Sequence, residues 1–284
     1  MFDRINYSFF IIIAVIMLFP LWNVIIISLV DYRTYVKNPL VIWPREVTLN
    51  AYRMIFASSE IPRAFFVSVL TTSAGTLVSM IVSVSGAYAL SKSRLPGRNI
   101  FFVIIIFTMF FNGGLVPTFL VMRGLNLNNS LWILVLFNGV MPMYLIIIKN
   151  YFVSLPHSLE ESAKIDGAHD FTILFRIIIP LSMPIIATFT LFYSVFRWND
   201  WYTALIYISD PFKYPLPLIM RNMIVKNQVS FDMLASYSEQ MMGYVSTENM
   251  KMATVVVATL PILLVYPFLQ KHFAKGIMIG AIKS

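Results

Sequence analysis

The feature that most constrains the fold of this chain is its series of long apolar runs, separated by polar segments. Each run has about 18 residues or more, a length that can cross the hydrocarbon core of a bilayer as an α-helix. Of the 284 residues, 58% are hydrophobic and 12% are charged, which leaves too little polar surface for a soluble domain of this size. The sequence therefore predicts an all-α integral membrane protein.

Six transmembrane helices are predicted, within a single transmembrane domain that covers residues 1–284. Asp3 and Arg4 precede a first run without a small-residue cleavage site, so we expect a retained helix and not a signal peptide. Loop 91–99 carries three basic residues and loop 123–130 carries one, which favours an inside location for both termini. The predicted spans are about 7–30, 64–90, 100–121, 131–148, 177–196 and 252–269; the inner loop is 149–176, the outer segments are 31–63 and 197–251, and the inner tail is 270–284.

Two of the predicted spans carry patterns that bear on packing. Small residues recur at every fourth position of the second span, and this stripe predicts a packing face more readily than a pore lining. The third span is interrupted by Asn112-Gly113-Gly114 and Pro117. It is either a broken helix beside a cavity or a re-entrant or interfacial piece, and the sequence leaves both open. The stripe consists of Thr71, Gly75, Ser79, Ser83 and Ala87.

The second half of the chain predicts a kinked span and an additional helix. Pro184 should kink the fifth span. The helical spacing of four apolar residues in the second outer segment predicts an interfacial helix. No ionisable side chain falls inside a predicted span, which argues against a proton relay or a voltage sensor. The four residues are Leu216, Ile219, Met220 and Met223.

Several kinds of chemistry are disfavoured by the sequence. The chain has no cysteine, so it can form neither a disulfide nor a thiolate metal site. Its net charge of +8 is scattered through loops, which indicates lipid electrostatics and not nucleic-acid binding. No Gly-rich stretch followed by Lys-Ser or Lys-Thr is present, so the chain has no phosphate-binding loop. The three histidines and the methionines between Met220 and Met252 fit no metal-ligand pattern; we therefore predict no enzyme, no catalytic residue and no metal.

The longest charged interruption on the predicted inner side begins at Glu160. Ser158 and Glu161 have the spacing of a capping box, which predicts a helix from Leu159. Gly167 should end this helix with a positive φ. Asp170 should cap a second helix that runs directly into the apolar segment beyond Pro180 and so forms a stiff connection.

This stretch resembles the EAA loop of importer-type ABC transporter permeases. The residues that carry the resemblance are Glu161-Ser162-Ala163, Gly167, Ile177 and Pro180, with Ser162 in place of an Ala and Ile179 in place of a Leu. The resemblance implies the type I ABC importer permease fold, in which this loop forms a coupling helix held in a cleft of a separate ATPase. The implied ATPase-coupling residues are Glu160, Glu161, Ser162, Ala163, Asp166, Gly167 and Ala168.

The resemblance covers nearly the whole chain and is closest to the carbohydrate subgroup of these permeases. Within it, the chain is similar to the smaller permease subunit of the maltose transporter and to complex-oligosaccharide permeases of Gram-positive-type operons. Trp43-Pro44, Trp198-Asn199-Asp200 and the Gly-rich tail are similar to that subgroup. It implies a heterodimer with a second permease, two ATPase subunits that bind ATP and Mg²⁺, an extracytoplasmic substrate-binding protein, and a bacterial cytoplasmic membrane as the location. The outer segments 31–63 and 197–251 are long enough to form a docking surface, so we predict that the binding protein docks there. The tail residues implied to face the ATPase are Gly276, Gly280 and Lys283.

A candidate substrate pathway follows from residue chemistry, because amides and aromatic faces suit the hydroxyls and C–H faces of sugars. Helix packing explains each of these residues equally well. Two alternative functions are an ion-coupled secondary transporter or channel and a membrane scaffold. The first would be favoured by intramembrane carboxylates or inverted repeats, and the sequence shows neither. The candidate pathway residues are Asn112, Asn138, Tyr144, Tyr193 and Trp198.

Overall fold

Every regular element in the part of the chain described by the computed structural model, residues 2–37, 42–44, 46–225 and 246–281, is helical, as predicted. The helices are α1 (Phe2–Leu29), α2 (Tyr32–Lys37), α3 (Asn50–Ala57), α4 (Glu60–Ser91), α5 (Arg98–Phe110), α6 (Leu115–Gly124), α7 (Leu131–Leu136), α8 (Pro142–Val153), α9 (His157–Ile165), α10 (Asp170–Ile173), α11 (Ile179–Leu181), α12 (Met183–Trp198), α13 (Trp201–Tyr207), α14 (Leu216–Val225) and α15 (Thr247–Ala281), with a π-helical turn at Leu174–Ile178 and a 3-10 turn at Pro211–Lys213.

Three helical stretches of the described residues are long and apolar enough to cross a membrane: α1, α4 and Thr247–Val265 of α15. A fourth candidate is the pair Asp170–Leu181 and Met183–Trp198, whose axes meet at 85°. The predicted third and fourth spans are instead divided into the shorter helices α5 with α6 and α7 with α8. The count of six spans therefore stays a prediction.

The interruption predicted in the third span is confirmed, and its geometry is local. Gly114 has a φ of +87°, and its N–H donates to Asn112 Oδ1 at 2.9 Å, which ends α5 before α6 begins. In the fourth span, Asn138 has a φ of +52° and Pro142 lies at the start of α8, where a residue without an N–H is tolerated. The two interpretations of the third span, as a broken helix or a re-entrant piece, both stay predictions.

The chain divides into two compact units, of which the first comprises residues 1–68 and 214–261. Its core includes α14, which confirms the helix predicted from residues 216–223, while the interfacial location of that helix stays a prediction. Leu216, Ile219 and Met223 are buried in this core, so the apolar side of α14 packs against protein.

A buried asparagine joins the end of α1 to the start of α15 within this unit. Asn249 is 1% exposed, and its amide donates to the carbonyl of Ile27 at 2.6 Å and to that of Val30 at 3.1 Å. These carbonyls lie at the C-terminal end of α1, where no further turn supplies donors. The same side chain accepts from Ser246 N–H and forms a reciprocal cap of α15.

The second unit comprises residues 69–213 and 262–284, and its helices meet along the small-residue stripe of α4. Ser83 Oγ and Tyr193 OH are hydrogen-bonded at 2.8 Å, and Thr76 Oγ1 and Ser194 Oγ are 3.3 Å apart. Small side chains let α4 and α12 approach closely enough for these contacts. The predicted packing face is confirmed.

Arg197 corrects the prediction that no ionisable side chain lies within a span helix. Helix α12 continues to Trp198, so Arg197 stands in its last turn, and its side chain is buried. The guanidinium donates to Ser79 Oγ and to the carbonyl of Leu134, each at 2.8 Å. The sequence predicts that the span ends before this charge, but the hydroxyl and the carbonyl each accept a hydrogen bond from the buried guanidinium, and the helix continues past it.

We predict that Gly75→Ala will destabilise the second unit. A Cβ at this position would lie 2.7 Å from Arg197 Cδ, Nε and Cζ, and would therefore displace the guanidinium from its two partners. The lost charged hydrogen bonds cost roughly 1.5–3 kcal/mol, more than the gain of about 1 kcal/mol that Ala brings inside a helix. The melting temperature in detergent should fall.

The matched control is Gly86→Ala in the same helix, where a Cβ would meet only Leu145 Cδ1, at 3.2 Å, the end of a flexible side chain. This variant should melt at or above the wild-type temperature. Equal melting temperatures for the two variants would contradict the proposed role of Gly75.

Candidate functional site

The short helix α9 begins earlier than the sequence predicts. It starts at His157, with Pro156 at the N-cap position and no side-chain cap, so the predicted capping box of Ser158 and Glu161 and the start at Leu159 are wrong. The carbonyl of Pro156 accepts from the N–H of Leu159 at 3.3 Å, which places Ser158 inside the first turn. A side chain already within the helix cannot act as its N-cap.

The end of α9 agrees with the prediction. Gly167 has a φ of +79°, its N–H donates to the carbonyl of Lys164 at 3.0 Å, and Ala168 N–H donates to the carbonyl of Ala163 at 2.9 Å. This pair of bonds is a Schellman motif, which requires a left-handed residue after the helix. A Cβ on Gly167 would meet nothing within 4 Å, so the requirement for glycine comes from the backbone.

The connection from α9 to α12 differs from the predicted continuous helix. Asp170 is the first residue of α10 and makes no cap; instead its carboxylate pairs with Lys164 Nζ at 3.4 Å. The chain then passes through the π-helical turn and α11 to a break at Ser182, where the axis turns by 85°. Pro180 and Pro184 flank this break, and neither can donate a backbone hydrogen bond. The predicted kink is present, but the stiff, direct run beyond Pro180 is wrong.

A cleft of 650 Å³ lies between the C-terminal end of α4, the loop that follows it, and helices α9 and α10. Lys92 and Glu160 form an ion pair across this cleft. The ammonium of Lys92 also lies 3.9 Å from the centre of the Tyr88 ring. Further polar side chains that line the cleft are Arg94, His157, Glu161, Lys164 and Asp170.

The predicted ATPase-coupling residues are brought together on α9 and its terminal turn, but they face different surroundings. Ala163 is buried in a cluster that includes Tyr88, Phe152 and Leu174. Glu160 is half-buried and paired with Lys92, and Ala168 is half-buried against the same cluster. The remaining members are exposed, namely Glu161, Ser162, Asp166 and Gly167.

Three exposed apolar side chains are not among the residues that the sequence predicts; one ends α9, one lies in α10 and one lies in the π-helical turn. Ile165 is 86% exposed, Phe171 is 78% exposed and Phe175 is 63% exposed. Large apolar side chains in a loop that is otherwise charged are the available signal, because such a patch indicates an interaction surface. We refer to Ile165, Phe171 and Phe175 as the inner apolar patch.

The candidate pathway residues do not form one lining. Tyr193 is fully buried, receives a hydrogen bond from Met141 N–H at 3.0 Å, and its ring centre lies 5.0 Å from that of Tyr144. Trp198 is buried as well. Asn112 and Asn138 are exposed residues of the two helix breaks. The structure thus brings Tyr144 and Tyr193 together, and a substrate pathway stays a prediction.

Two of the three tail residues that are predicted to face the ATPase lie within the described part of the chain. Gly276 and Gly280 lie within α15, whereas Lys283 lies outside the described residues. In the part of the chain that the structure describes, no three His, Asp or Glu residues are grouped so that they could hold a metal ion.

Comparison with known proteins relates most of the chain to one family. Residues 84–279 match the family described as "Binding-protein-dependent transport system inner membrane component". The polygalacturonan/rhamnogalacturonan transport system permease protein YtcP of Bacillus subtilis (strain 168) is 44% identical over 285 residues, which cover 100% of this chain and 99% of that protein. The arabinooligosaccharides transport system permease protein AraQ of the same organism is 27% identical, over 97% of this chain and 94% of that protein.

A solved structure has the same fold. It is the crystal structure of a bacterial ABC transporter involved in the import of the acidic polysaccharide alginate, and one of its chains matches with a TM-score of 0.88 and 32% sequence identity. The match covers 96% of each chain.

We predict that Gly167→Ala will loosen the end of α9 without a steric clash. A Cβ at positive φ costs about 1 kcal/mol or more, so the Schellman bonds should open more often. In the Gly167→Ala variant, the amide hydrogens of residues 167 and 168 should exchange about fivefold faster than in the wild type, or more. This is the increase expected when the end of the helix loses about 1 kcal/mol of stability. Gly124→Ala is the control, because a Cβ there also meets nothing within 4 Å and its φ is not positive. Unchanged exchange in Gly167→Ala would contradict the prediction.

Proposed function

This chain belongs to the family of binding-protein-dependent transport system inner membrane components, and from that premise we propose that it is one of two permease subunits of an ATP-driven carbohydrate importer. The observation that carries the proposal is the full-length 44% identity to a permease named for polygalacturonan and rhamnogalacturonan transport. The likeness to a chain of an alginate importer supports it. Both names refer to acidic polysaccharides, so oligosaccharides that contain uronic acids are the first substrates to test.

The partners follow from what the chain lacks and what it exposes. As the family resemblance implies, ATP and Mg²⁺ are bound by two separate ATPase subunits, and this chain carries no phosphate-binding loop of its own. The inner apolar patch and the exposed Glu161, Ser162 and Asp166 form the docking surface for one of them. Burial of large apolar side chains at the centre of such a surface supplies most of the affinity, and the charged residues around them set the orientation.

A second permease and a substrate-binding protein complete the proposed complex. Helices α5 and α6 have no buried residue, and their apolar side chains face lipid or the second permease. The binding protein docks on the outer segments 31–63 and 197–251, part of which lies outside the described residues. The location is the bacterial cytoplasmic membrane, with both termini and the α9 loop on the cytoplasmic side, consistent with the basic loop 91–99.

The mechanism is alternating access. When the ATPase subunits close on ATP, the docked α9 moves with them, and the helices connected to it change between an inward-facing and an outward-facing arrangement. Substrate passes along the interface with the second permease. Among the three aromatic residues of the candidate pathway, Tyr144 is half-buried, whereas Tyr193 and Trp198 are buried.

The experiment that tests this function is co-expression with the neighbouring genes, purification in detergent and reconstitution into proteoliposomes. An ATPase subunit should co-purify. Uptake of a galacturonan, arabinan or alginate oligosaccharide should require ATP on the side of the ATPase subunits. It should also require the binding protein on the other side of the membrane. Uptake by the chain alone without ATP would contradict the proposal and favour a secondary transporter.

We predict that Phe171→Ser will remove the ATPase subunit from the purified complex. Loss of a central aromatic contact typically costs 2 kcal/mol or more, which corresponds to about 30-fold in affinity. The variant should reach the membrane in normal amounts, since Phe171 is exposed and contributes little to the fold.

Phe212→Ser is the control, because Phe212 is 65% exposed on the 3-10 turn in the second outer segment. It should retain the ATPase subunit. Equal retention of the ATPase subunit by both variants would show that the inner apolar patch is not the docking surface.

A further inference from the structure

Among the described residues, two ion pairs involve α9, Lys92 with Glu160 and Lys164 with Asp170, and the first is the less exposed to solvent. Their side chains are 21% and 20% exposed, whereas those of Lys164 and Asp170 are 44% and 65% exposed. The ring of Tyr88 covers the Lys92 ammonium and excludes water from one side. Coulombic attraction is screened less in such surroundings than at an open surface, so this pair is the stronger mechanical link.

The backbone of Lys92 is hydrogen-bonded to the end of α4. Its N–H donates to the carbonyl of Ala89 at 3.2 Å, and Leu95 N–H donates in turn to the carbonyl of Lys92 at 3.3 Å. Arg98 Nε donates to the carbonyl of Leu90 at 2.9 Å and so satisfies an acceptor in the last turn of α4. A force on the Lys92 side chain is therefore transmitted to α4.

The covalent route from α9 to α12 contains three interruptions. It passes through the left-handed Gly167, the π-helical turn and the break at Ser182, where the axis turns by 85°. Interruptions of these kinds are places where helices bend. Movement of α9 can be absorbed at any of the three before it reaches α12.

We propose that the Lys92–Glu160 ion pair is a strut that transmits the movement of α9 directly to α4. Glu160 is then a positioning residue inside this chain and not a contact to the ATPase, in contrast to the assignment that the family resemblance implies. From α4 the movement reaches α12 through the hydrogen bonds of Ser83 with Tyr193 and of Ser79 with Arg197. The inference rests on the proposed function, because it assumes that a partner moves α9.

The test uses the complete importer with Glu160→Gln, Lys92→Met and the charge exchange Lys92→Glu with Glu160→Lys. The two single variants should retain the ATPase subunit and hydrolyse ATP, while uptake of a galacturonan oligosaccharide per ATP falls about fivefold or more, the lower end of typical coupling between sites. The charge exchange should restore part of the uptake per ATP, because the ion pair re-forms although a carboxylate is less favourable than an ammonium over the Tyr88 ring; a general packing role for Lys92 and Glu160 would restore none. Asp170→Asn removes the exposed ion pair of the same loop and should leave the ratio unchanged.

A second measurement does not depend on the identity of the sugar. The chain has no cysteine, so Ser93→Cys and Ser158→Cys, both at exposed positions beside the strut, can each carry a nitroxide label. Electron paramagnetic resonance should give one narrow distance distribution, before and after trapping with ATP and vanadate. Adding Lys92→Met should broaden the distribution in the trapped state.

The outcomes separate the strut from the function on which it rests. A distribution that stays narrow with Lys92→Met, or uptake per ATP that is unchanged in both single variants, overturns the strut and leaves the importer function intact. Loss of the ATPase subunit from Glu160→Gln also overturns it, since Glu160 would then be a docking residue. If no ATPase subunit co-purifies with the wild-type chain, the proposed function itself fails.

Discussion

The second unit depends on close contact between α4 and α12. Side chains in a membrane gain little from meeting each other instead of lipid, so helices associate through close packing and buried hydrogen bonds. The small residues of α4 provide both: Gly75 makes room for the side chain of Arg197, and the hydroxyls of Ser79 and Ser83 bond to Arg197 and Tyr193. A larger residue along this stripe would separate the helices and leave these polar groups without partners. The position of α12 against α4 follows from this contact.

At the C-terminal end of α4, a small number of polar contacts joins the helix to α9. Helix α9 has nine residues, too few to be stable alone, and it is held by burial of Ala163 and by the pair of Glu160 with Lys92. Its other side carries exposed charges, and the inner apolar patch lies beside it. This division, with one side tied to the bundle and the other presented outward, is what a connection between an integral membrane subunit and a partner in water requires.

The breaks in the helices are as informative as the helices. The interruptions at Asn112–Gly114, Asn138 and Ser182 all divide apolar segments that would otherwise cross the membrane continuously. Backbone groups released at membrane depth need protein or water as partners. The breaks at Asn112–Gly114 and Asn138 are exposed and leave room for such partners outside this chain, whereas Ser182 is buried within it.

The sequence alone determined the helical membrane class, the packing face of α4, the interruption after Phe111 and the left-handed turn at Gly167, because composition, a four-residue period and the φ preference of glycine are local properties. The tertiary structure decided the start of α9, the break at Ser182, the burial of Arg197 and the partner of Glu160. Local capping signals were overridden at Ser158, since Pro156 begins the turn earlier. Arg197 and Glu160 could not be assigned from neighbouring residues, because their partners are 118 and 68 positions away in the chain. Whether a charge is buried and paired depends on which segments the fold brings together, and no short-range pattern contains that information.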